Sequence, residues 1–440
     1  MKSFLTLLCL LYGSVWLSAA EHSVAYSYRT ESAGGVAAVT LDDMTGKILR
    51  HEVLFESEHA AYAKKVRRID SIERYVLTNE SAEKPYLFFF SSHADANWRP
   101  RTIELSSMPD EVCVAGTQAL VTCDGDSLVG IDVENLRITK TLAIDQILTP
   151  PGNGPQGIML TDDQQIAVVS FQKDSRSGKK KGSRLLFLKW PELNILADLQ
   201  LPRDHSELHV AGSEKDQGPG PELMFYSPEE NVLAVSYDLY GAVALMDWDA
   251  AVQGKMEDYQ AISTSADGEW GTAFPDRGCT VRPFDRSLLW VANAGADGGA
   301  TVFDLESRQR IWQGRTPAGL ERPVYIPSLK MILAVCAGKT KTRTSAEVVK
   351  QFSPQTGLYL FRFQRSSGES TDSAIQVQSG VFPSKDHLFQ ITTFGDANRP
   401  LVLLAAGPGE DAIYLRTLSP YSAQFLDEVP AKGKIQRFEK

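Results

Sequence analysis

The stretch that decides the fold is SLLWVANAGADGGATVFDLESRQRI, residues 287–311. Leu288 to Ala292 is a compact apolar run that carries the β-favouring Trp290 and Val291. Asn293 to Gly299 is a cluster of turn formers, and Ala300 to Leu305 reads as a second strand. A polar turn at Glu306 to Arg308 leads to a third strand starting at Arg310. This strand–turn–strand–turn–strand phrase recurs along the chain.

Working outward, a Pro/Gly-rich crossing opens GPQGIMLTDDQQIAVVSF, and GPGPELMFYSPEENVLAVSYD repeats the plan. RGCTVRPFDRSLLWVANA, RPVYIPSLKMILAVCAG and HLFQITTF open three further units. The third unit is read from Ala119 to Cys123, Leu128 to Val133 and Ile138 to Ile144, and the second, less regular, from Arg74 to Thr78, Tyr86 to Ser91 and Thr102 to Leu105. The first has strands at Val24 to Tyr28, Val36 to Leu41 and Lys47 to Leu54, and Glu56 to Arg68 is read as a short connecting helix. Units recur every 40 to 65 residues, within reach of propeller blades with long loops. A four-stranded sheet cannot cover both its apolar faces alone, so such units must stack around an axis. A β-sandwich with extra strands would not produce regular units along the whole chain. The expectation is an all-β chain forming a single β-propeller of eight four-stranded antiparallel blades. Seven is the alternative if the second unit merges with a neighbour. The first blade lacks an innermost strand, which Lys434 to Phe438 could supply to close the ring. Small residues late in the second strands (Ser170, Ser236, Ala292, Ala337, Ala406) fit tight packing there.

The phrases GIMLTDDQQIAVVSF, LMFYSPEENVLAVSYD and VRPFDRSLLWVANAGADGGATVFDLESRQRI resemble the YVTN-type and lactonase-like β-propeller repeats, relatives of the WD40 superfamily. The start, VAYSYRTESAGGVAAVTLDDMTGKI, is similar to the opening blade of lactonase-like propellers. The second unit and the long loops after Asp204, Tyr259 and Lys339 depart from the family pattern, and the YVTN tetrapeptide survives only in forms such as WVAN. The resemblance implies a fold more than an activity, because such repeats serve many roles.

Met1 to Ala20 reads as a secretory signal: Lys2, an apolar stretch from Phe4 to Leu17, then Ser18-Ala19-Ala20 before a mature start at Glu21. The expected organisation is therefore a signal peptide over 1–20 and a propeller domain over 21–440, secreted or periplasmic, with no membrane insertion after cleavage. The net charge of −10 argues against nucleic acid as a partner. Lys179-Lys180-Lys181 is read as a solvated hairpin tip. Of the cysteines left after cleavage, Cys113 and Cys123 flank the hairpin VCVAGTQALVTC and could pair, although buried thiols would look the same.

Candidate site residues come from polar loops. His93, Asp95, Asn97 and Trp98 in SSHADANWRP offer a carbohydrate or cation site, against the turn-building role that Asp and Asn also fill. Asp267, Glu269, Trp270, Asp276 and Arg277 lie in STSADGEWGTAFPDR, residues 263–277, a long crossing of the kind often used for function. His205 and His209 have a ligand-like spacing without the His-Glu-x-x-His order, so no metal is expected. No nucleophile elbow, Walker loop, dinucleotide fingerprint or haem-attachment motif occurs, and no cofactor is expected. The reading is an exported propeller presenting a loop-lined surface to a protein or glycan partner. The resemblance implies an alternative, a lactonase-like hydrolase opening a sugar lactone or similar ring ester at the channel mouth.

Overall fold

Every residue of Leu288–Asn293 is buried. Its side chains serve two different cores. Leu288, Trp290 and Ala292 pack towards the sheet that follows in sequence, and Leu289 and Val291 towards the sheet that precedes it. A strand covered on both faces has no reason to alternate, which is why the sequence shows an unbroken apolar run. The same logic runs through the chain and produces eight sheets around a ring.

The structure is a computed structural model, and it describes residues 20–91, 99–124, 127–144, 153–173, 181–203, 218–238, 240–264, 275–293, 298–316, 320–336, 339–344, 347–352, 356–365, 375–409 and 412–439. Each blade is a four-stranded antiparallel sheet. From the axis outward, blade 2 runs Ala63–Ile69, Arg74–Asn79, Tyr86–Ser91 and Arg101–Glu104, and blade 3 runs Pro109–Ala115, Gln118–Cys123, Ser127–Asp132 and Arg137–Ala143. Blades 4 and 5 begin at Asn153–Leu160 and Pro221–Ser227, blades 6 and 7 at Pro275–Val281 and Leu320–Ile326, and blade 8 at His387–Phe394. Eight apolar clusters fill the eight blade–blade interfaces, one each, so the core is a ring of wedges.

The ring closes as the sequence predicts. Lys434–Phe438 pairs with Glu21–Arg29 and becomes the innermost strand of blade 1, inside Gly34–Asp42 and Ile48–Ser57. Ile435 and Phe438 are buried in the cluster shared by blades 8 and 1. Polar bonds hold the same seam. The Tyr28 hydroxyl donates to Glu56 at 2.6 Å, Lys432 Nζ lies 3.4 Å from that carboxylate, and the Lys432 amide donates to the Tyr26 hydroxyl at 2.9 Å.

Eight blades are present as expected, and not seven, because the second unit is complete. Several other expectations are corrected. The missing strand of the second unit is Ala63–Ile69, within the segment expected to be a helix; only Glu58–Ala60 makes a 3-10 turn. The pairing slips between Ala63 and Val66, and that bulge leaves buried apolar residues at 63, 66 and 69. A three-residue spacing made by a bulged strand imitates a helical face. The Cys113–Cys123 bridge is not formed: Cys113 lies opposite Leu120 and Cys123 opposite Pro109, and all four described cysteines are thiols. The polar excursion of the seventh unit holds a hairpin, Lys339–Thr344 with Glu347–Phe352. A short helix, Trp248–Val252, is inserted before the outermost strand of blade 5, capped by the Asp247 side chain.

Candidate functional site

The innermost strands contact one another around the ring and wall the central channel. All eight carry a bulge where they pair with the second strand. A bulge sets two residues against one and re-aims side chains, a device found next to functional sites. In blades 2 to 5 a hydroxyl on the second strand accepts the amide freed by the bulge: Thr78 from Lys65, Thr122 from Glu111, Ser170 from Gly157 and Ser236 from Leu223. Ser170 also donates to the Glu222 carbonyl of the next blade at 3.0 Å, and Ser27 bonds the Lys64 carbonyl. These hydroxyls stitch neighbouring blades at the channel wall. A side chain at Gly157 would meet the Glu222 carbonyl oxygen at 2.4 Å, so the close approach there requires glycine. Three of the strands open with Pro followed by an acid, Pro109-Asp110, Pro221-Glu222 and Pro275-Asp276, and Pro155-Gln156 lies two residues into a fourth. Proline is tolerated at a strand's first position, and the polar residue follows at the bulge.

The bulges of blades 1 to 3 gather charge. Lys65 Nζ lies 2.9 Å from Glu111 and 3.3 Å from Asp110, and Arg67 Nη2 lies 2.9 Å from the other Glu111 oxygen. Arg437, from blade 1, passes the whole of blade 2 to reach Glu111 on blade 3 at 3.5 Å, so these groups meet within the channel. Burial pushes the Glu111 carboxyl up, but Lys65, Arg67 and Arg437 outweigh it and hold it well below the usual carboxylate range. Arg437 is lowered by burial; Glu111 supports its charge, whereas Arg67 and Arg277 oppose it. Opposite, Arg277 lies 3.9 Å and Arg322 4.0 Å from Glu321. Below the cluster, Glu439 is pushed up to about 7 by burial, with Arg68 working against that rise.

Of the sequence candidates, Arg277 is on the innermost strand of blade 6, half-buried and paired to Glu321. The backbone of Asp276 precedes it at the bulge. Asp267, Glu269 and Trp270, His93, Asp95, Asn97 and Trp98, and both histidines at 205 and 209 lie outside the described residues, as do Lys179, Lys180 and the leader over 1–19. The strands flanking 92–98 are the third and fourth of blade 2, away from the axis. Asn293, read as a turn former, is buried. Its amide donates to the Thr264 carbonyl at 2.7 Å and accepts from the Thr264 hydroxyl at 2.8 Å, anchoring the start of the 265–274 crossing. Sequence reasoning missed Lys65, Arg67, Glu111 and Arg437. The Pro-acid openings were the available signal, because they mark where the channel wall begins.

A second surface lies on the outer rim. Phe382 on the outermost strand of blade 7 is 42% exposed, and Phe425 on that of blade 8 is 60% exposed. Together with Leu358, Leu388, Leu404 and Leu418 they line an apolar cleft of about 90 Å³ between the two blades. Val381, Leu426, Leu49 and Val53 are also exposed on the outermost strands of blades 7, 8 and 1. At the ring closure the Ile48 amide of blade 1 donates to Asp427 of blade 8 at 2.8 Å.

Fold and channel together define an eight-bladed β-propeller with a charge-lined axis. No family model matches the sequence, and no curated protein matches it. Solved structures do resemble it. The dihydro-heme d1 dehydrogenase NirN, in complex with DHE, is 12% identical with a TM-score of 0.62, over 94% of this chain and 74% of that one. BamB from Moraxella catarrhalis is 13% identical with a TM-score of 0.51, over 88% and 96%. The C-terminal WD40 domain of Sif2 is 10% identical with a TM-score of 0.52, over 87% and 90%. At these identities the likeness is one of fold.

Proposed function

We propose that the protein is an exported, non-enzymatic binding propeller that engages a protein partner through the outer rim of blades 7, 8 and 1. The observation that carries this reading is the apolar cleft between Phe382 and Phe425, with further exposed aliphatic residues on the outermost strands of blades 7, 8 and 1. Contiguous apolar surface rimmed by polar residues marks an interaction site in a water-exposed protein. An outermost strand also has one unpaired backbone edge to which an extended segment can add. Export rests on the leader-like pattern of Met1 to Ala20.

One observation favours the alternative, a lactonase-like hydrolase: arginines and carboxylates do converge in the channel. Water activation, however, needs a base whose pKa lies near the working pH. Lys65, Arg67 and Arg437 hold the pKa of Glu111, the carboxylate at the centre of the arginines, well below that range, and among the described residues Glu439, pushed up to about 7 by burial, meets it. Size-exclusion chromatography of extracts from the native source, followed by antibody, tests the reading. The protein should elute in an assembly larger than the single chain, and Phe425→Glu should return it to the single-chain position with its fold intact. Unchanged elution of that variant, or rapid turnover of simple sugar lactones lost in Glu111→Gln, would replace this reading with the alternative.

A further inference from the structure

The channel around Glu111 brings cations of three strands together. Lys65, Arg67 and Arg437 pair with Asp110 and Glu111, while Glu80 also acts on Lys65 and Glu439 on Arg67. The side chains of Lys65, Arg67, Arg437, Asp110 and Glu111 are between 9 and 17% exposed, so bulk water does little to screen their charges. Asp110 is committed to Lys65, and the two oxygens of Glu111 are shared among all three cations. Arg437 Nε is buried without a hydrogen-bond partner among the described residues. Across the lumen, Arg277 is near enough to oppose the charge of Arg437. The acids Glu222 and Asp238 lie towards blades 4 and 5, each accepting from the Gln172 amide at 3.3 Å.

We infer that the central channel holds an anion-binding site, in which Arg437, Arg67 and Arg277 take the oxygens of a small oxyanion, a carboxylate or phosphate group. Guanidinium forks match the paired oxygens of either group, and a buried donor without an acceptor gains most from one. The bulges make the site, because they turn Lys65, Glu111 and the residues after them towards the axis. Glu111 acts as the internal counterion that keeps the arginines folded together when no ligand is bound.

The test uses the full mature chain with inorganic phosphate and citrate, at constant ionic strength set by sodium chloride. Thermal unfolding and isothermal titration should show saturable binding of at least one anion. Arg437→Gln should weaken it at least tenfold, and Arg437→Lys should weaken it less. Citrate alone binding assigns carboxylate ligands; phosphate alone assigns phosphoryl ligands. Should Arg437→Gln fold poorly, Arg277→Gln gives the same comparison on the opposite wall. Absence of saturable binding, or equal binding by the wild type and both glutamine variants, overturns the site.

Discussion

Glu111 shows how much one side chain does in this molecule. It neutralises cations from blades 2 and 1 while belonging to blade 3, so it couples three blades through the lumen. Removing one partner of a buried ionic cluster leaves the others uncompensated and typically costs about 3 kcal/mol or more. Glu111→Ala should lower unfolding stability by that amount in urea denaturation, and added Arg437→Gln should recover part of the loss. Glu439 makes the pH prediction. Its pKa rises from 4.5 to about 7 in the fold, so its favourable contribution is complete below pH 4.5 and is lost as pH rises through 7. Glu439→Gln should be more stable than the wild type at pH 8, by about 1 to 2 kcal/mol given its partial exposure, and indistinguishable from it near pH 4. Chemical denaturation of both proteins at the two pH values reads this directly. Neither residue stood out in the sequence. Acids are common in this chain, and what distinguishes these two is the company that the ring brings to them. Arg277 was legible because it closes a long crossing, yet its partner Glu321 is 44 positions away and shares no local pattern with it.

Strands were legible in proportion to their burial. Second and third strands are covered on both faces, and their apolar runs read clearly from residue identity. Innermost strands were read less well, since the bulge breaks the two-residue alternation and polar residues face the lumen. The strand Ala63–Ile69 looked helical for this reason. The small residues on second strands were read as packing devices. For Ser170 and Ser236 the hydroxyl matters as much as the size, because it satisfies a backbone group that the bulge frees. Lys434–Phe438 was legible because blade 1 lacked an innermost strand that this tail could supply. This strand should be worth more than its length suggests. Phe438→Ala removes a buried ring from the blade 8–1 interface and should cost about 3 to 4 kcal/mol. Proteolysis should then release the first strands of blade 1 before the rest of the ring; uniform loss of protection instead would show that the seam is not the weak point.

At the scale of the whole molecule, the sequence carried the architecture and left the function open. Blade stacking depends on apolar pattern, which is local and repeated. A binding surface depends on which outer strands come to lie side by side, which only ring closure decides. Phe382 and Phe425 come from blades 7 and 8, and no spacing in the sequence announces that they line one cleft. Ile138, exposed on the outer strand of blade 3, provides an internal control on an edge away from this cleft. The most direct test is site-specific photo-crosslinking in cells that make the protein natively, with a photoreactive phenylalanine analogue placed at Phe425 or at Ile138. A discrete adduct with one protein from position 425, abolished by Phe382→Glu and absent from position 138, is the predicted result; equal adducts at both positions, or none at 425, would contradict it.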